Sequence, residues 1–295
     1  MNTDTTTSFA ELPHGEALAR PGEAEAFTVT APDGVRLAAQ SWGNPAGPAI
    51  LLVHGFGQCH LSWLRQLRGP LARDFRLITF DVRGHGGSDK PLDPARYNHA
   101  RPWADDIAAV LDAAGIERAV LVGWSFGGRI ALDYLALYGT ARIAGLNLVG
   151  SSISPRPELR GRGGLALRPL MNGPDLSENI AATREFLRRC FIIQPDEQSF
   201  QEMLAYNMLV PPPVRAAVNA RPDQPEAALR GIATPVLVTI GDQDGLVPLA
   251  VAHYAAEIFP QATLSVYPGI GHSPFFEAPK RFSQELGDFA RRVLA

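Results

Sequence analysis

The sequence predicts an α/β protein, with a mainly parallel sheet, helices on both faces and one helical insertion. Three observations predict it. Short apolar runs such as AILLV (Ala49 to Val53) and PVLVTI (Pro235 to Ile240) recur between amphipathic stretches, as strands buried on both faces do. Glycine-rich turns follow several of these runs. The alternation breaks once, from about Ser151 to Leu229, where Pro, Arg and Gly are frequent and no buried strand is evident.

Taken in order, residues 1–22 have neither a basic start nor an apolar run, so they read as a tail or surface strap and not a secretory signal. Phe27 to Thr30 and Val35 to Ser41 flank Asp33-Gly34, a turn dipeptide, and predict an antiparallel hairpin. AILLV is the first buried strand, followed by a helical stretch near Ser62 to Leu71. Arg76 to Phe80 (RLITF) is the next strand. A helix over Pro102 to Ala114 carries Trp103, Ile107, Val110 and Leu111 on one face and ends at Gly115. The Ala119 to Val122 strand runs into Gly123-Trp124-Ser125-Phe126-Gly127. A helix from Phe126 to Tyr138 turns Ile130, Tyr134 and Leu137 or Tyr138 inward, and Leu146 to Val149 is a strand. Ile180 to Cys190 and Gln198 to Leu209 are the clearest helices of the insertion. Then come PVLVTI, a helix over Ala250 to Ile258, a strand over Thr263 to Tyr267, and a last helix over Pro279 to Leu294 with Phe282, Leu286, Phe289 and Val293 on one stripe. The expected organisation is a core of residues 23–150 and 230–295, with residues 151–229 as a helical cap over one end of the sheet.

Composition narrows the function. With 295 residues, 46% hydrophobic and 19% charged, the chain has an ordinary globular balance. A net charge of −3 argues against a nucleic-acid or anionic-membrane partner. No stretch approaches the ~18 consecutive apolar residues of a membrane helix. The two well-separated cysteines, Cys59 and Cys190, fit free thiols in a cytoplasmic protein. No motif requires a metal or an organic cofactor.

The chemistry-bearing residues follow strands, and ligands bind at strand C-termini in such sheets. Gly123 to Gly127 matches G-x-S-x-G between a strand and an amphipathic helix, the context that makes this pattern a nucleophile elbow. Ser125 Oγ is thereby expected above the sheet, at a helix N-terminus that favours a developing anion. A serine hydroxyl needs a base. His272, on the Gly-Pro-rich loop after the Thr263 to Tyr267 strand, fits better than His14 in the tail, His60, His99 and His253 in or beside helical segments, His85 in a turn, or His54 after the first apolar strand. The acid that orients the base comes from Gly241-Asp242-Gln243-Asp244-Gly245. Asp244 lies further past the strand end and is preferred, and Asp242 is expected to make a local turn hydrogen bond. The order Ser125, Asp244, His272 is a nucleophile–acid–histidine order. Oxyanion donors are expected from the N–H groups of Phe126 and of Phe56, the latter in His54-Gly55-Phe56-Gly57, with His54 holding that loop. Asp81-Val82-Arg83-Gly84-His85-Gly86-Gly87-Ser88 reads as a buried turn stitched by charge-assisted hydrogen bonds. Trp124 and Phe275, with Phe56 and Phe126, are expected to make an apolar acyl pocket, to which Met203, Tyr206 and Met208 contribute from the cap.

Together HGFG, DVRGHGGSDKP, GWSFGG, GDQDGLVP and GHSPFFEAP resemble the α/β-hydrolase superfamily in its common bacterial branch, over about residues 25–150 and 230–295. GWSFGG and DGLVP are similar to pimeloyl-acyl-carrier-protein methyl ester esterases. HGFG and DVRGHGGSDKP look more like cofactor-free haloperoxidase/arylesterase and epoxide-hydrolase relatives. Epoxide hydrolases and haloalkane dehalogenases carry an aspartate nucleophile, so Ser125 disfavours both. The resemblance implies an α/β-hydrolase fold with a sheet of the eight-stranded type. It implies Ser125 as nucleophile, His272 as general base, Asp244 as its orienting acid, and Phe56 and Phe126 as oxyanion donors. The expected activity is hydrolysis of small-molecule esters with short to medium acyl groups. A carbon–carbon bond hydrolase of meta-cleavage type, a perhydrolase, an acyltransferase and a non-catalytic binding protein are the rivals.

Overall fold

The apolar runs become the strands they predict. A computed structural model describes residues 24–153, 156, 159, 161, 163–222 and 226–295; the expected tail at 1–22 lies outside the described residues. β1 (Ala24–Thr30) and β2 (Arg36–Gly43) form the hairpin, with Thr30 opposite Arg36 and Gly34 at a positive φ in the turn. β3 (Ala49–Val53), β4 (Arg76–Phe80), β5 (Ala119–Trp124), β6 (Ile143–Val149), β7 (Val236–Gly241) and β8 (Ala262–Tyr267) complete an eight-stranded sheet of order β1-β2-β4-β3-β5-β6-β7-β8. β2 is antiparallel to both neighbours, and every pair from β4 to β8 is parallel. Parallel strands need crossovers, and the helices supply them on both faces.

In chain order the helices are α1 (Leu64–Leu67), α2 (Leu71–Asp74), α3 (Ala100–Ala113), α4 (Phe126–Tyr138), α5 (Arg168–Asn172), α6 (Leu176–Arg189), α7 (Glu197–Met208), α8 (Pro212–Asn219), α9 (Glu226–Arg230), α10 (Leu249–Ile258), α11 (Pro274–Glu277) and α12 (Pro279–Leu294). Trp103 and Ile107 of α3, Ile130 and Tyr134 of α4 and Val251 of α10 pack with Leu51 and Leu121 on one sheet face. Phe282, Leu286 and Phe289 of α12 pack with Ile50, Leu52, Val120 and Val122 on the other. The side chains of β3 and β5 divide between the two cores with the period of two that a strand imposes.

Two expectations fail locally. The stretch Ser62 to Leu71 is not one helix: a 3₁₀ turn (His60–Trp63), α1 and α2 are separated at Gly69-Pro70. Proline lacks an N–H and its ring disfavours helical backbone before it. On α4, Ile130 and Tyr134 point inward but Leu137 and Tyr138 are largely exposed, and Leu135 takes the inner position. Tyr138 stacks on Tyr134 at 5.2 Å between ring centroids, and its hydroxyl donates to Asp105 at 2.6 Å.

Between β6 and β7 the chain leaves the sheet for α5 to α9. Asp175 and Asp196 start α6 and α7 as N-caps, accepting from the N–H of Glu178 and Ser199, each at 2.9 Å. Arg215 of α8 is wholly buried. It donates to Met171 O of α5, Asn179 Oδ1 and Thr183 Oγ1 of α6, and Asn207 O of α7, so one guanidinium ties four helices. Among the described residues no helix is long and apolar enough to cross a membrane.

Candidate active site

Four strand ends deliver the candidate residues to one edge: β5 leads to Ser125, β6 to Gly150, β7 to Asp244 and β8 to His272. Ser125 has φ 54° and ψ −114°, and among the described residues no other non-glycine has a positive φ. The fold holds this strain by close approach. A Cβ on Gly127 would meet Val53 O at 2.3 Å, and one on Gly128 would meet Ser151 Oγ at 2.1 Å, so the start of α4 packs directly on its neighbours. The Ser125 N–H donates to Val149 O at 2.8 Å, and Gly128 N donates to Ser125 O at 3.1 Å.

The side chains of His272 and Asp244 are both almost wholly buried, and Nδ1 of the imidazole lies 2.8 Å from Asp244 Oδ2. The carboxylate's other oxygen accepts from the N–H groups of Leu246 at 2.8 Å and Val247 at 2.9 Å, so the acid is fixed by its own turn. With Nδ1 donating to Asp244, the proton sits on Nδ1 and Nε2 presents the lone pair a base needs. Backbone bonds fix the ring: His272 N donates to Cys190 O at 3.1 Å, and Trp124 Nε1 donates to His272 O at 3.0 Å. Gly150 touches both partners, because a Cβ there would lie 3.0 Å from His272 Nδ1 and 3.2 Å from Asp244 Oδ2. Ser125 and this pair therefore flank the same short segment, Val149-Gly150. Asp242 does not make the expected local turn bond. Its Oδ1 accepts from Gly269 N at 2.7 Å, joining the loop after β7 to the loop after β8.

Phe56 and Phe126 N–H make no hydrogen bond among the described residues, and both residues line the same cavity as Ser125. His54 holds the loop as expected: Nδ1 donates to Gly55 O at 2.8 Å and Nε2 accepts from Val82 N at 3.0 Å. Burial lowers its pKa to about 4, so it stays neutral. The turn at 81–88 is the stitched structure its sequence predicts. Arg83, wholly buried, makes paired 2.7 Å bonds to Asp106 and reaches Asp33 at 2.7 Å. Cys59 Sγ, a ring nitrogen of His60 and an Asp81 oxygen lie within 4.8 Å of one another, a spacing a metal ion could use. Their bonding is already committed. Asp81 accepts from His60 N, His60 Nδ1 and Gly87 N at 2.7, 2.9 and 2.7 Å, and burial raises the Cys59 thiol pKa well above its ordinary value. Cys59 and Cys190 are both buried with free thiols.

A cavity of about 420 Å³ opens at Ser125. Its floor is Phe56, Ser125, Phe126 and Leu246, and its roof includes Met171 and Phe186 of the insertion. Five residues expected in the acyl pocket are not among those lining it. Trp124 and Phe275 lie beneath the elbow, 4.7 Å apart between ring centroids, in the core with Trp63 and Phe282. Trp124 continues the side of β5 that carries Val120 and Val122, opposite in parity to Leu121. Met203 and Tyr206 belong to the insertion's own core with Leu187, Cys190 and Phe200, and the Tyr206 hydroxyl donates to Gln58 Oε1 at 3.0 Å. Met208 packs on the edge of that same core. Gly150 and Glu277 were not singled out from the sequence, although GHSPFFEAP contains Glu277.

The chain belongs to the α/β-hydrolase fold family, whose model matches residues 48–279. It is 38% identical to a candidate aryl esterase from Burkholderia cenocepacia, with a TM-score of 0.87, covering 92% of this chain and 99% of that one. An esterase from Rhodococcus sp. ECU1013 is 34% identical with a TM-score of 0.85, covering 91% and 99%. The 2-hydroxymuconate semialdehyde hydrolase of Pseudomonas sp. strain CF600 is 32% identical over 255 residues, 83% of this chain and 87% of that protein. By their names these three relatives are two esterases and a hydrolase.

Proposed function

We propose that the protein is a serine carboxylesterase acting on small-molecule esters with short to medium acyl groups. Ser125 Oγ attacks the ester carbonyl while His272 Nε2 takes its proton, and Asp244 stabilises the imidazolium through Nδ1. The N–H groups of Phe56 and Phe126 take the oxyanion. The alcohol leaves with the proton from His272, which then activates water to release the acid and free Ser125. The observation that carries this reading is the buried 2.8 Å His272–Asp244 hydrogen bond beside a serine held at positive φ. Residues 151–229 act as the cap that roofs the pocket, with no metal or cofactor in the chemistry, and the cytoplasm is the expected compartment.

The cavity sits toward the small end of ligand pockets, roughly 300–1,000 Å³. Each methylene that fits inside adds at most about 0.8 kcal/mol, roughly fourfold in kcat/KM. A p-nitrophenyl ester series should therefore climb from acetate, level off at medium chains and fall beyond them. Ser125→Ala should abolish turnover and phosphonate labelling with the fold intact; retained activity in a folded variant refutes the nucleophile. A carbon–carbon bond hydrolase is the second reading, supported by likeness to the 2-hydroxymuconate semialdehyde hydrolase. A dienol ketoacid cleaved faster than any ester would favour it.

A further inference from the structure

Glu277 ends α11, five residues past His272, and belongs to no step of the mechanism above. Its carboxylate is half-buried and forms no ion pair among the described residues; backbone N–H groups surround it instead. Oε2 accepts from Ile192 N and Ile193 N, both at 2.8 Å, in the connection between α6 and α7. Oε1 accepts from Gly271 N at 3.0 Å and, more weakly, from Ser273 N at 3.4 Å, the two residues that flank His272. His272 N itself donates to Cys190 O, two residues before Ile192. A Cβ on Gly271 would lie 3.0 Å from both Glu277 Oε1 and Ile192 N, so the missing side chain lets the two backbones close on the carboxylate.

We propose that Glu277 is a positioning residue that fastens the His272 loop to the α6–α7 connection, so that the insertion takes part in placing the general base. The inference rests on the serine-esterase reading given above. Two facts favour positioning over plain loop stability. The two oxygens divide their bonds, one toward the insertion and one toward the loop of the base. The loop bonds also bracket His272 on both sides. A carboxylate can accept at all four sites, whereas an amide has one accepting oxygen and a donor that must face N–H groups. Glu277→Gln therefore keeps the volume and breaks one half of the clasp, whichever way the amide turns.

The test compares wild type, Glu277→Gln and Glu277→Ala on p-nitrophenyl butyrate, with the functional serine of each titrated by a chromogenic phosphonate. Expressed per titrated serine, kcat should fall about 10- to 100-fold with KM within about twofold, as a base displaced by a fraction of an ångström requires. The downfield proton resonance of His272 Nδ1–H, assigned by its loss in Asp244→Asn, should broaden or shift in the Gln variant. If kcat per titrated serine and this resonance both match wild type, Glu277 only stabilises the loop and the proposal is wrong, even if the variants melt earlier. If the wild type neither labels nor turns over any ester, the serine-esterase reading fails first and takes this inference with it. Should Glu277→Ala not fold, Glu277→Gln decides.

Discussion

Gly150→Ala tests the geometry of the site from a position that carries no chemistry. Gly150 has φ +50°, and alanine in left-handed backbone costs about 1–2 kcal/mol. At about 2–4 °C per kcal/mol for a domain of this general size, the melting temperature should fall by roughly 2–8 °C. The methyl group adds a second effect. At 3.0 Å from His272 Nδ1, 3.2 Å from His272 Cε1 and 3.2 Å from Asp244 Oδ2, it forces the buried pair to give by a few tenths of an ångström. Catalytic groups are sensitive on that scale, and kcat on p-nitrophenyl butyrate should fall at least about tenfold. Gly115→Ala is the control. Gly115 has φ +63°, with nothing within 4 Å of a Cβ, so it bears the backbone cost and leaves the site untouched. Melting curves and steady-state rates on both variants separate the two effects. Equal rates in the two variants, after correction for folded fraction, would show that contact with His272 and Asp244 does not matter and would refute the reasoning.

The remaining predictions address the acid, the strain and the buried histidines. Asp244→Asn should lower kcat by about 10⁴, because the amide turns a donor toward Nδ1 and forces the proton onto Nε2; Asp242→Asn, which keeps an acceptor for Gly269 N, should stay within about threefold of wild type, and equal losses would mean that the acid is misassigned. Ser125→Gly should be more stable than Ser125→Ala by about 1 kcal/mol, since release of φ strain worth roughly 1–3 kcal/mol exceeds the added chain entropy of glycine; identical chemical-denaturation midpoints and slopes would deny the stored strain. His54 and His85, buried, have pKa values lowered to about 4 and about 3. The unfolded chain binds these protons below about 6.5 and the fold does not, so their contribution is full above pH 6.5 and is lost as pH falls toward 4. For His54 the loss is on the order of 3 kcal/mol, readable as a lower urea midpoint at pH 4.5 than at pH 7.5; equal midpoints would contradict the burial argument.

Much of the fold was legible because parallel strands buried on both faces leave unbroken apolar runs. AILLV and RLITF are β3 and β4 to the residue, and α4 and α12 keep their expected ends. The triad candidates were legible for a related reason: each sits on a turn directly after such a run. The pocket was not. Trp124 is next to Ser125 in sequence, but Ser125 lines the cavity while Trp124 packs in the core with Trp63 and Phe275, and the parity of Val120, Val122 and Trp124 was the available signal. The roof comes from helices whose apolar residues serve two masters, their own core around Leu187 and Phe200 and the cavity at Met171 and Phe186. Periodicity marks such residues as inward-facing without saying which interior they face. Glu277 was hidden because all its partners are backbone N–H groups, which no residue type advertises.

The loops of the site are also placed by the sheet more than by one another. Ser125 N bonds Val149 O and Gly150 N bonds Thr239 O, each continuing a parallel ladder one step past the strand ends, where Trp124 pairs with Val149 and Val149 with Thr239. Beyond β7 and β8, where Gly241 pairs with Tyr267, Asp242 N bonds Tyr267 O and Gln243 N bonds Ile270 O. Four neighbouring strands therefore set the spacing between the serine, the acid and the histidine. A register slip of one residue between β7 and β8 would shift Asp244 relative to His272 by about 3.3 Å, more than the His272–Asp244 bond tolerates. This arrangement lets the chain leave the sheet after β6 for α5 to α9 and return at β7 without disturbing the strand spacing. The insertion is then free to shape the pocket, and it meets the segment of His272 and Glu277 through specific bonds such as those of Cys190, Ile192 and Ile193.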